Sequence, residues 1–539
     1  MFTLKRAVWI LLIGMLFVAE PEPCRARIDS RQAVSIDGYE QVVFGRSRNG
    51  KPLVAFRSQA SPDSDCLRIL LIDRRMNQEA ENLADVLMDL LKPLSNSAQQ
   101  YVITFVPSQV LSHVPSEHWL FPPEGKYYST KNQVECQYLW RWIGKTGFDQ
   151  VIVLSDETED SLCQALDSSS ILGMGKVPAQ TMKSERNEFS SMLLKTILQC
   201  QKPSEVQRAL SARRERSPQI LIQQLLNHYG NKLNSVAYIP ALAVIAKLEF
   251  AEQTNQYELE QQVENLTSPY CLNQRSSFPA KPNGSHLAGH LVFAEVALKT
   301  GNEQAKQLVI KAADCGFDKQ GMPLSSMPFH NQMSDAVFMG TPILAAAGLL
   351  SGEEKYFQQA NQHLGVIQNY CLREDGLYRH SPLNEAAWGR GNGFPALGLA
   401  LCLKYLPEDH PLHPVWKQAL KSHLMTLLKH QDAEGMWHQI IDHPESYQEL
   451  TSTCMISFAL LLSQEQNWFP ELDFTPAIQK AWQAVKLRIG PQGKLIDVCT
   501  GTGKQPRYED YFYREALMRN DDRGGAMALL FAVKMLPLE

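Results

Sequence analysis

One carboxylate, Asp335, stands in an otherwise small or apolar stretch, Met333-Ser334-Asp335-Ala336-Val337-Phe338-Met339-Gly340. About fifty residues later, Trp388-Gly389-Arg390-Gly391-Asn392-Gly393-Phe394 sets a guanidinium and an amide among glycines, between two aromatic rings. A turn that only bends needs glycine, but it has no use for Trp, Arg and Asn together. Aromatic faces stack on sugar rings, and an Arg fork binds a carboxylate through two parallel hydrogen bonds. The two stretches therefore suggest an acid beside a pocket for an acidic sugar. Similar residues collect in Leu377-Tyr378-Arg379-His380, in Met436-Trp437-His438-Gln439, at Glu449 and Thr451-Ser452-Thr453, and in a late cluster of Gly501-Thr502-Gly503-Lys504, Tyr511 and Asp521-Asp522-Arg523. Taken singly, each has a plainer use. Asp335 suits a helix N-cap, His380 and His438 suit structural hydrogen bonding, Trp388 and Trp437 suit a core, and Asp521-Asp522-Arg523 suits a solvated turn. Their joint placement favours a site.

The elements that must position these residues repeat. Asp318-Lys319-Gln320-Gly321, Arg373-Glu374-Asp375-Gly376, Asp432-Ala433-Glu434-Gly435 and Gly490-Pro491-Gln492-Gly493 are turn tetrads whose glycines lie 55, 59 and 58 residues apart. Each follows a helical pattern and leads into a short extended piece. A unit of this length matches a helical hairpin with its loop, and about six fit between residues 219 and 539. The period predicts an all-α (α/α)6 barrel with the turns on one rim; an open helical solenoid is the alternative. Residues 30–205 read differently. Val42–Phe44, Leu53–Phe56, Leu67–Ile72, Tyr101–Val106 and Val151–Leu154 are strand-like, and helical stretches at 80–91 and 139–143 lie between them. This alternation predicts an N-terminal α/β domain with a largely parallel sheet ahead of the barrel. The polar stretch from Lys202 to Pro218 marks the boundary.

The chain has 539 residues, 44% hydrophobic and 20% charged, enough for two cores and too apolar for extensive disorder. A net charge of −5 makes no case for nucleic acid as a partner, and an anionic substrate would need a local basic site. Lys5 and Arg6 precede an apolar run from Ala7 to Ala19, with Cys24-Arg25-Ala26 after it. That pattern predicts a signal peptide over residues 1–26 and export to a periplasmic or extracellular location, without stable membrane insertion after cleavage; an uncleaved anchor is the alternative. The eleven cysteines include no C-x-x-C pair, so no cysteine-built zinc site is expected.

Asp335-x-x-Phe338-Met339, Leu377-Tyr378-x-His380, Trp388-x-Arg390-Gly391-Asn392-Gly393, Gly435-x-Trp437-His438-Gln439 and Gly501-Thr502-Gly503 together, in this order, resemble the unsaturated uronyl hydrolases. The closer likeness is to the unsaturated rhamnogalacturonyl hydrolases of glycoside hydrolase family 105, with the glucuronyl hydrolases of family 88 further off. The resemblance covers about residues 220–539 and implies an (α/α)6 barrel. It also implies an unsaturated oligosaccharide substrate, left by a polysaccharide lyase, and no cofactor or metal. In the implied reaction the vinyl ether of a terminal 4,5-unsaturated uronic acid is hydrated, and the resulting hemiketal opens and releases the aglycone. Ordinary glycosidases place two carboxylates across the anomeric bond. Vinyl ether hydration can run on one, which protonates carbon 4 and then takes a proton from the water attacking carbon 5.

By the resemblance Asp335 is that acid/base, and to act as an acid near neutral pH it should have a pKa raised above about 3.9. His380 and Arg390 would contact the uronate, with Trp388 and Phe394 framing the ring. Asn392, Met339, Trp437 and His438 would complete the substrate site. Phe394 departs from the family's usual Trp. A second family aspartate falls at Ser285-His286, so its role passes to His286, His290 or His330, or is missing.

Residues 30–205 also weakly resemble a zinc carboxypeptidase-like domain, through Gly45-Arg46-Ser47, Gly50-Lys51-Pro52 and the Phe121-Pro122-Pro123 loop. The place of its His-x-x-Glu reads Asp73-Arg74-Arg75-Met76-Asn77-Gln78-Glu79, and the later strand ends in Leu154-Ser155-Asp156, so the metal ligands are absent. Two other classes fit the pattern: a catalytically inactive glycan-binding protein, and an (α/α)6 lyase or epimerase. The ultraviolet absorbance of the conjugated double bond separates them, since a hydrolase lowers it, a lyase raises it, and a binder or epimerase leaves it unchanged.

Overall fold

A computed structural model of the protein describes residues 39–58, 66–75, 101–111, 134–168, 170–183 and 189–538. The expected signal peptide, the helix at 80–91 and the Phe121-Pro122-Pro123 loop lie outside the described residues. N-terminally, β1 (Tyr39–Arg46), β2 (Pro52–Ser58), β3 (Leu67–Asp73), β4 (Tyr101–Val106), β5 (Gln150–Leu154) and β6 (Ala179–Met182) form one sheet in the order β1-β2-β4-β3-β5-β6. β3, β4, β5 and β6 pair in parallel, while β1 and β2 add an antiparallel edge. β3 and β5 are nearly all apolar because both faces of the sheet are covered. The helix α1 (Val134–Thr146) packs on β1. At the end of β3, Arg75 pairs with Asp73 at 2.8 Å and Arg74 with Asp160 at 2.6 Å.

The rest of the chain is helical. Outer helices α2 (Pro218–Leu226), α4 (Tyr257–Cys271), α7 (Glu303–Ala313), α9 (Glu354–Cys371), α11 (His413–Leu428) and α13 (Thr475–Leu487) alternate with inner ones. The inner set is α3 (Tyr238–Gln253), the broken pair α5 (Gly284–Gly289) and α6 (Leu291–Thr300), α8 (Ala336–Ser351), α10 (Gly389–Tyr405), α12 (Leu450–Glu465) and α14 (Asp522–Met535). Among the described residues each inner element touches the next, and α14 touches α3, so the inner layer closes on itself. The sequences explain the two layers. Every residue of α10 except Lys404 is buried, as a helix enclosed on all sides requires, whereas α9 buries only a stripe through Tyr356, Ala360, His363, Leu364 and Ile367. α8 and α10 are in backbone contact at Gly398, where a Cβ would sit 2.9 Å from the Phe338 backbone.

The four repeat turns share one geometry. Gly321, Gly376, Gly435 and Gly493 have φ of 78°, 86°, 97° and 70°, a region that only glycine enters cheaply. Each glycine N–H donates to the residue three before it: Asp318, Arg373, Asp432 and Gly490. Each turn follows an outer helix and precedes an inner one, so all four sit on the rim where the inner helices begin.

The N-terminal sheet packs on this same rim. One apolar cluster runs from Phe44, Leu53, Trp140 and Trp142 to Ala386, Trp388, Ile440, Tyr447, Tyr511 and Phe512. Beside it, Arg141 Nε donates to the buried Asp497 carboxylate at 2.6 Å, with Arg488 3.6 Å away. Gly398→Ala should lower stability by about 1–3 kcal/mol through overpacking, despite the better helix propensity of alanine, worth about 1 kcal/mol. Urea unfolding measures this, and a stabilised variant would show that the contact relaxes.

Candidate functional site

All the inner helices start at the rim, so their free N–H groups and positive dipole ends point toward one region. This gives a chain of net negative charge a local preference for anions. Three carboxylates stand immediately before inner helices. Glu449 accepts from Thr451 N at 3.1 Å, Ser452 N at 2.6 Å and Cys499 N at 3.0 Å, and is fully buried. Asp521 accepts from Gly524 N at 2.8 Å. Asp335 differs: its backbone is already helical, at φ −51° and ψ −30°, and its side chain makes no capping bond. The N-cap use open to Asp335 in the sequence is therefore not the one it has.

Its carboxylate instead faces His380, with Oδ2 3.1 Å from Nε2. The side chain of Asp335 is 14% exposed and that of His380 is 1% exposed, while the facing atoms Oδ2 and Nε2 are themselves buried and make no other bond. Local structure enforces the pairing. The turn at Gly376 lays Tyr378–His380 in extended form alongside the start of α8, and Ser334 N donates to His380 O at 3.0 Å. His363, from α9, lies 3.0 Å through Nε2 from Ala336 O and accepts from Met327 N through Nδ1 at 3.2 Å, bracing the backbone next to Asp335. On the other side of His380, Nδ1 lies 2.8 Å from the Tyr511 hydroxyl, which accepts from Gln505 N at 2.9 Å. Burial raises the Tyr511 pKa to about 12, so the phenol stays protonated.

Met339 is half-buried one turn after Asp335 and touches the start of α5 at Gly284. His330 stacks on Tyr370 and, with Lys504, lines an open depression formed by residues 324–332. Burial and then the Lys504 ammonium lower its pKa. In the segment just before Asp335, Phe329, Asn331 and Gln332 all have positive φ, at 65°, 49° and 54°. Strained non-glycine backbone of this kind collects at functional sites.

Several residues expected to touch substrate are placed elsewhere. Asn392 is fully buried; it donates to Tyr378 O and Trp388 O at 2.8 and 3.0 Å and accepts from Tyr378 N at 2.8 Å, which leaves no group for a ligand. Phe394 is buried against Phe338 and Tyr238. Trp437 is core, its indole N–H donating to Leu427 O at 2.7 Å. His438 has both ring nitrogens engaged, by Ser446 O at 2.6 Å and Asp432 at 2.9 Å. His286 accepts from Asn283 N at the start of α5. His290 is buried against Phe278 and kept neutral, its pKa lowered to about 4 chiefly by burial.

Trp388, 1% exposed, offers no free face, since the His380 ring lies 4.5 Å from it and the Arg390 guanidinium 4.7 Å. Arg390 is itself 2% exposed and donates to Cys499 O at 2.8 Å, Thr500 O at 2.6 Å and Thr451 Oγ1 at 3.3 Å. These residues build the wall and its charge. The Arg390 guanidinium satisfies two carbonyls that would otherwise be orphaned.

Two more side chains meet here: Tyr238, which the sequence did not single out, and Arg523, which it placed in the late polar cluster. Tyr238, at the start of α3, feels Arg390, Arg523 and Asp335 together, and its pKa is raised by burial first. Arg523, in the first turn of α14, is less committed than Arg390: its side chain is 18% exposed, 3.4 Å from Cys499 O and 3.9 Å from Asp521. For Tyr238 the signal was available only as position, at the start of an inner helix, whereas Arg523 stood in the late polar cluster.

Asn392→Ala removes three buried backbone bonds and should cost about 2–4 kcal/mol, read by urea unfolding. Stability should also fall with acid. His290 and His363 are neutral in the fold down to about pH 4, while unfolded histidine protonates near 6.5. Between those values the unfolded chain binds more protons, so the two residues impose a slope of at most about 2.7 kcal/mol per pH unit, lost as pH drops from 6.5 to 4. An unfolding free energy flat across that window would contradict the placement.

Known proteins resemble this chain in sequence and in fold. The sequence pattern of Glycosyl Hydrolase Family 88 matches residues 219–539. Unsaturated rhamnogalacturonyl hydrolase YesR of Bacillus subtilis (strain 168) is 27% identical over 278 residues, 48% of this chain and 78% of that protein. An unsaturated 3S-rhamnoglycuronyl hydrolase of Alteromonas sp. (strain LOR) is 24% identical, across 32% of this chain and 45% of that protein. Among solved structures, a family 105 glycoside hydrolase of C. acetobutylicum superimposes with a TM-score of 0.51 at 18% identity, over 59% of this chain and 99% of that one. A family 88 glycosyl hydrolase of Bacteroides vulgatus gives 0.50 at 15% identity, over 60% and 100%. At such identities these structures bear on the fold alone, and they agree with the closed helical ring. With its family pattern spanning more than half of its length, the chain belongs to Glycosyl Hydrolase Family 88.

Proposed function

We propose that the protein is an exported unsaturated uronyl hydrolase. It would be built from a signal peptide over residues 1–26, an α/β domain over 30–205 and an (α/α)6 catalytic barrel over 219–539. It would act on oligosaccharides that end in a 4,5-unsaturated uronic acid, as the names of its relatives suggest. The observation that carries this reading is the uncapped, partly exposed side chain of Asp335 against His380, at the convergence of the inner-helix N-termini.

Asp335, protonated, delivers its proton to carbon 4, and positive charge develops at carbon 5 and the ring oxygen. Water adds to carbon 5 and returns a proton to the Asp335 carboxylate, so the acid is regenerated within one turnover. The hemiketal then opens and the aglycone leaves. His380 beside Asp335 orients the carboxyl group for both transfers. Of the two nearby guanidiniums, Arg523 is the one we assign to the substrate carboxylate, because the donors of Arg390 go to Cys499, Thr500 and Thr451. Arg390 contributes its charge from behind Trp388. Met339, His330 and Lys504 border the opening through which the aglycone would extend.

Asp335→Asn should keep the fold and lower kcat by about 10³-fold or more, the scale on which a general acid/base acts. The fall in ultraviolet absorbance of an unsaturated disaccharide measures it, and near-wild-type turnover would sink the assignment. Arg523→Gln should raise KM for such substrates about tenfold, the loss of roughly one charge-assisted hydrogen bond. An unchanged KM would return the role to Arg390.

A further inference from the structure

The N-terminal sheet reaches the acid/base through a short chain of contacts. The turn between β1 and β2 is rigid: Lys51 N donates to Ser47 Oγ at 3.0 Å, Arg46 Nε to Gly50 O at 2.9 Å, and Arg48 N to Glu135 Oε1 of α1 at 2.8 Å. This turn grips one rim segment of the barrel. The Tyr513 hydroxyl donates to Ser47 O at 3.2 Å, the Arg46 guanidinium lies 5.3 Å over the Phe512 ring, and Arg46 Nη1 is 3.6 Å from Glu445. Tyr511, in the same short helical turn, is 1% exposed, and Gln439 Nε2 donates to its carbonyl at 2.9 Å. Its hydroxyl accepts from Gln505 N and lies 2.8 Å from His380 Nδ1, with the Ser381 side chain its other neighbour. A histidine whose Nδ1 accepts carries its proton on Nε2, the nitrogen 3.1 Å from Asp335.

We propose that the Arg46–Ser47 turn of the N-terminal domain is a positioning element for the acid/base. By holding Phe512 and Tyr513 it seats the Tyr511 hydroxyl on His380, fixing the Nε2–H tautomer that faces Asp335. The N-terminal domain then serves the barrel as part of its catalytic geometry, rather than as a separate binding or hydrolytic module. Arg46 and Tyr513 act only through Tyr511, and Tyr511 only through His380, so all three are positioning residues. Tyr513 is half-buried and loses a single oxygen in Tyr513→Phe, which makes the effect separable from folding.

The kinetic part rests on the function proposed above, while the tautomer part does not. The test uses the full chain with nitrogen-15-labelled histidine, and the His380 signals are assigned by their loss in His380→Gln. Wild type should show a single Nε2–H tautomer at His380. Tyr511→Phe, the double variant Arg46→Ala/Tyr513→Phe, and Tyr513→Phe alone should each show mixed tautomers. On an unsaturated disaccharide Tyr511→Phe and the double variant should lower kcat about five- to twentyfold with KM within twofold, at unchanged melting temperature for Tyr513→Phe. The triple variant should be no slower than Tyr511→Phe alone, because the residues act in series. A wild-type tautomer in both the double and the Tyr513→Phe variants overturns the proposal. So does a triple variant whose loss is the product of the separate losses. Should wild type leave every unsaturated uronide untouched, the functional reading falls and the tautomer measurement still decides the positioning.

Discussion

Closure of the inner helical ring is the constraint from which the rest of the molecule follows. Once α14 packs on α3 the helices cannot slide independently, and each must enter the ring from the same end. Their N-termini then share one rim, and so do the glycine turns that precede several of them. A protein of net charge −5 acquires a cationic focus without a cationic surface. It comes from oriented peptide groups and from two guanidiniums, Arg390 buried and Arg523 partly exposed. Asp335 sits in that focus with its side chain uncommitted, which sets it apart from Glu449 and Asp521 on the neighbouring helices.

A rim made of loops carries many backbone groups that no helix or sheet satisfies, and the polar residues around Asp335 are largely used to satisfy them. Asn392 closes both polar groups of Tyr378, Arg390 takes the carbonyls of Cys499 and Thr500, and Glu449 takes the amides of Thr451, Ser452 and Cys499. The result is a wall whose polar groups are largely buried and turned to the backbone. A carboxylate with no capping bond to make suits a reaction in which one group gives a proton and later receives one.

What could be read in the sequence, and what could not, divides along the same line. The Gly321, Gly376, Gly435 and Gly493 turns were legible because a left-handed turn demands glycine whatever surrounds it, and their spacing carried the helical repeat. The strands Leu67–Ile72, Tyr101–Val106 and Val151–Leu154 were legible because burial on both faces leaves apolar runs, and the antiparallel edge pair because a turn signal stands between its strands. β6 was not, since Ala179–Met182 is short, half-polar and at the edge. At the site, composition showed where polar and aromatic residues gather, but not which way they face. Asn392, Trp437 and His438 have the side chains of ligand-binding residues, and only their hydrogen-bond partners show that they serve the backbone. Tyr511 lies 131 residues from the histidine it touches. Nothing local in the sequence marks that contact.

Ring closure also has a consequence for how the protein comes to exist. The partner of α3 on one flank is α14, which begins roughly 270 residues later in the chain. During synthesis Leu242, Ala246 and Phe250 must wait for most of the barrel to be made before that seam can seal, and pairing so distant in sequence is slow. The vulnerable edge of the nascent molecule is thus its first inner helix, far from the growing end. Damage to α14 would be felt there, as an unsealed and adhesive flank, before it was felt anywhere near Asp335.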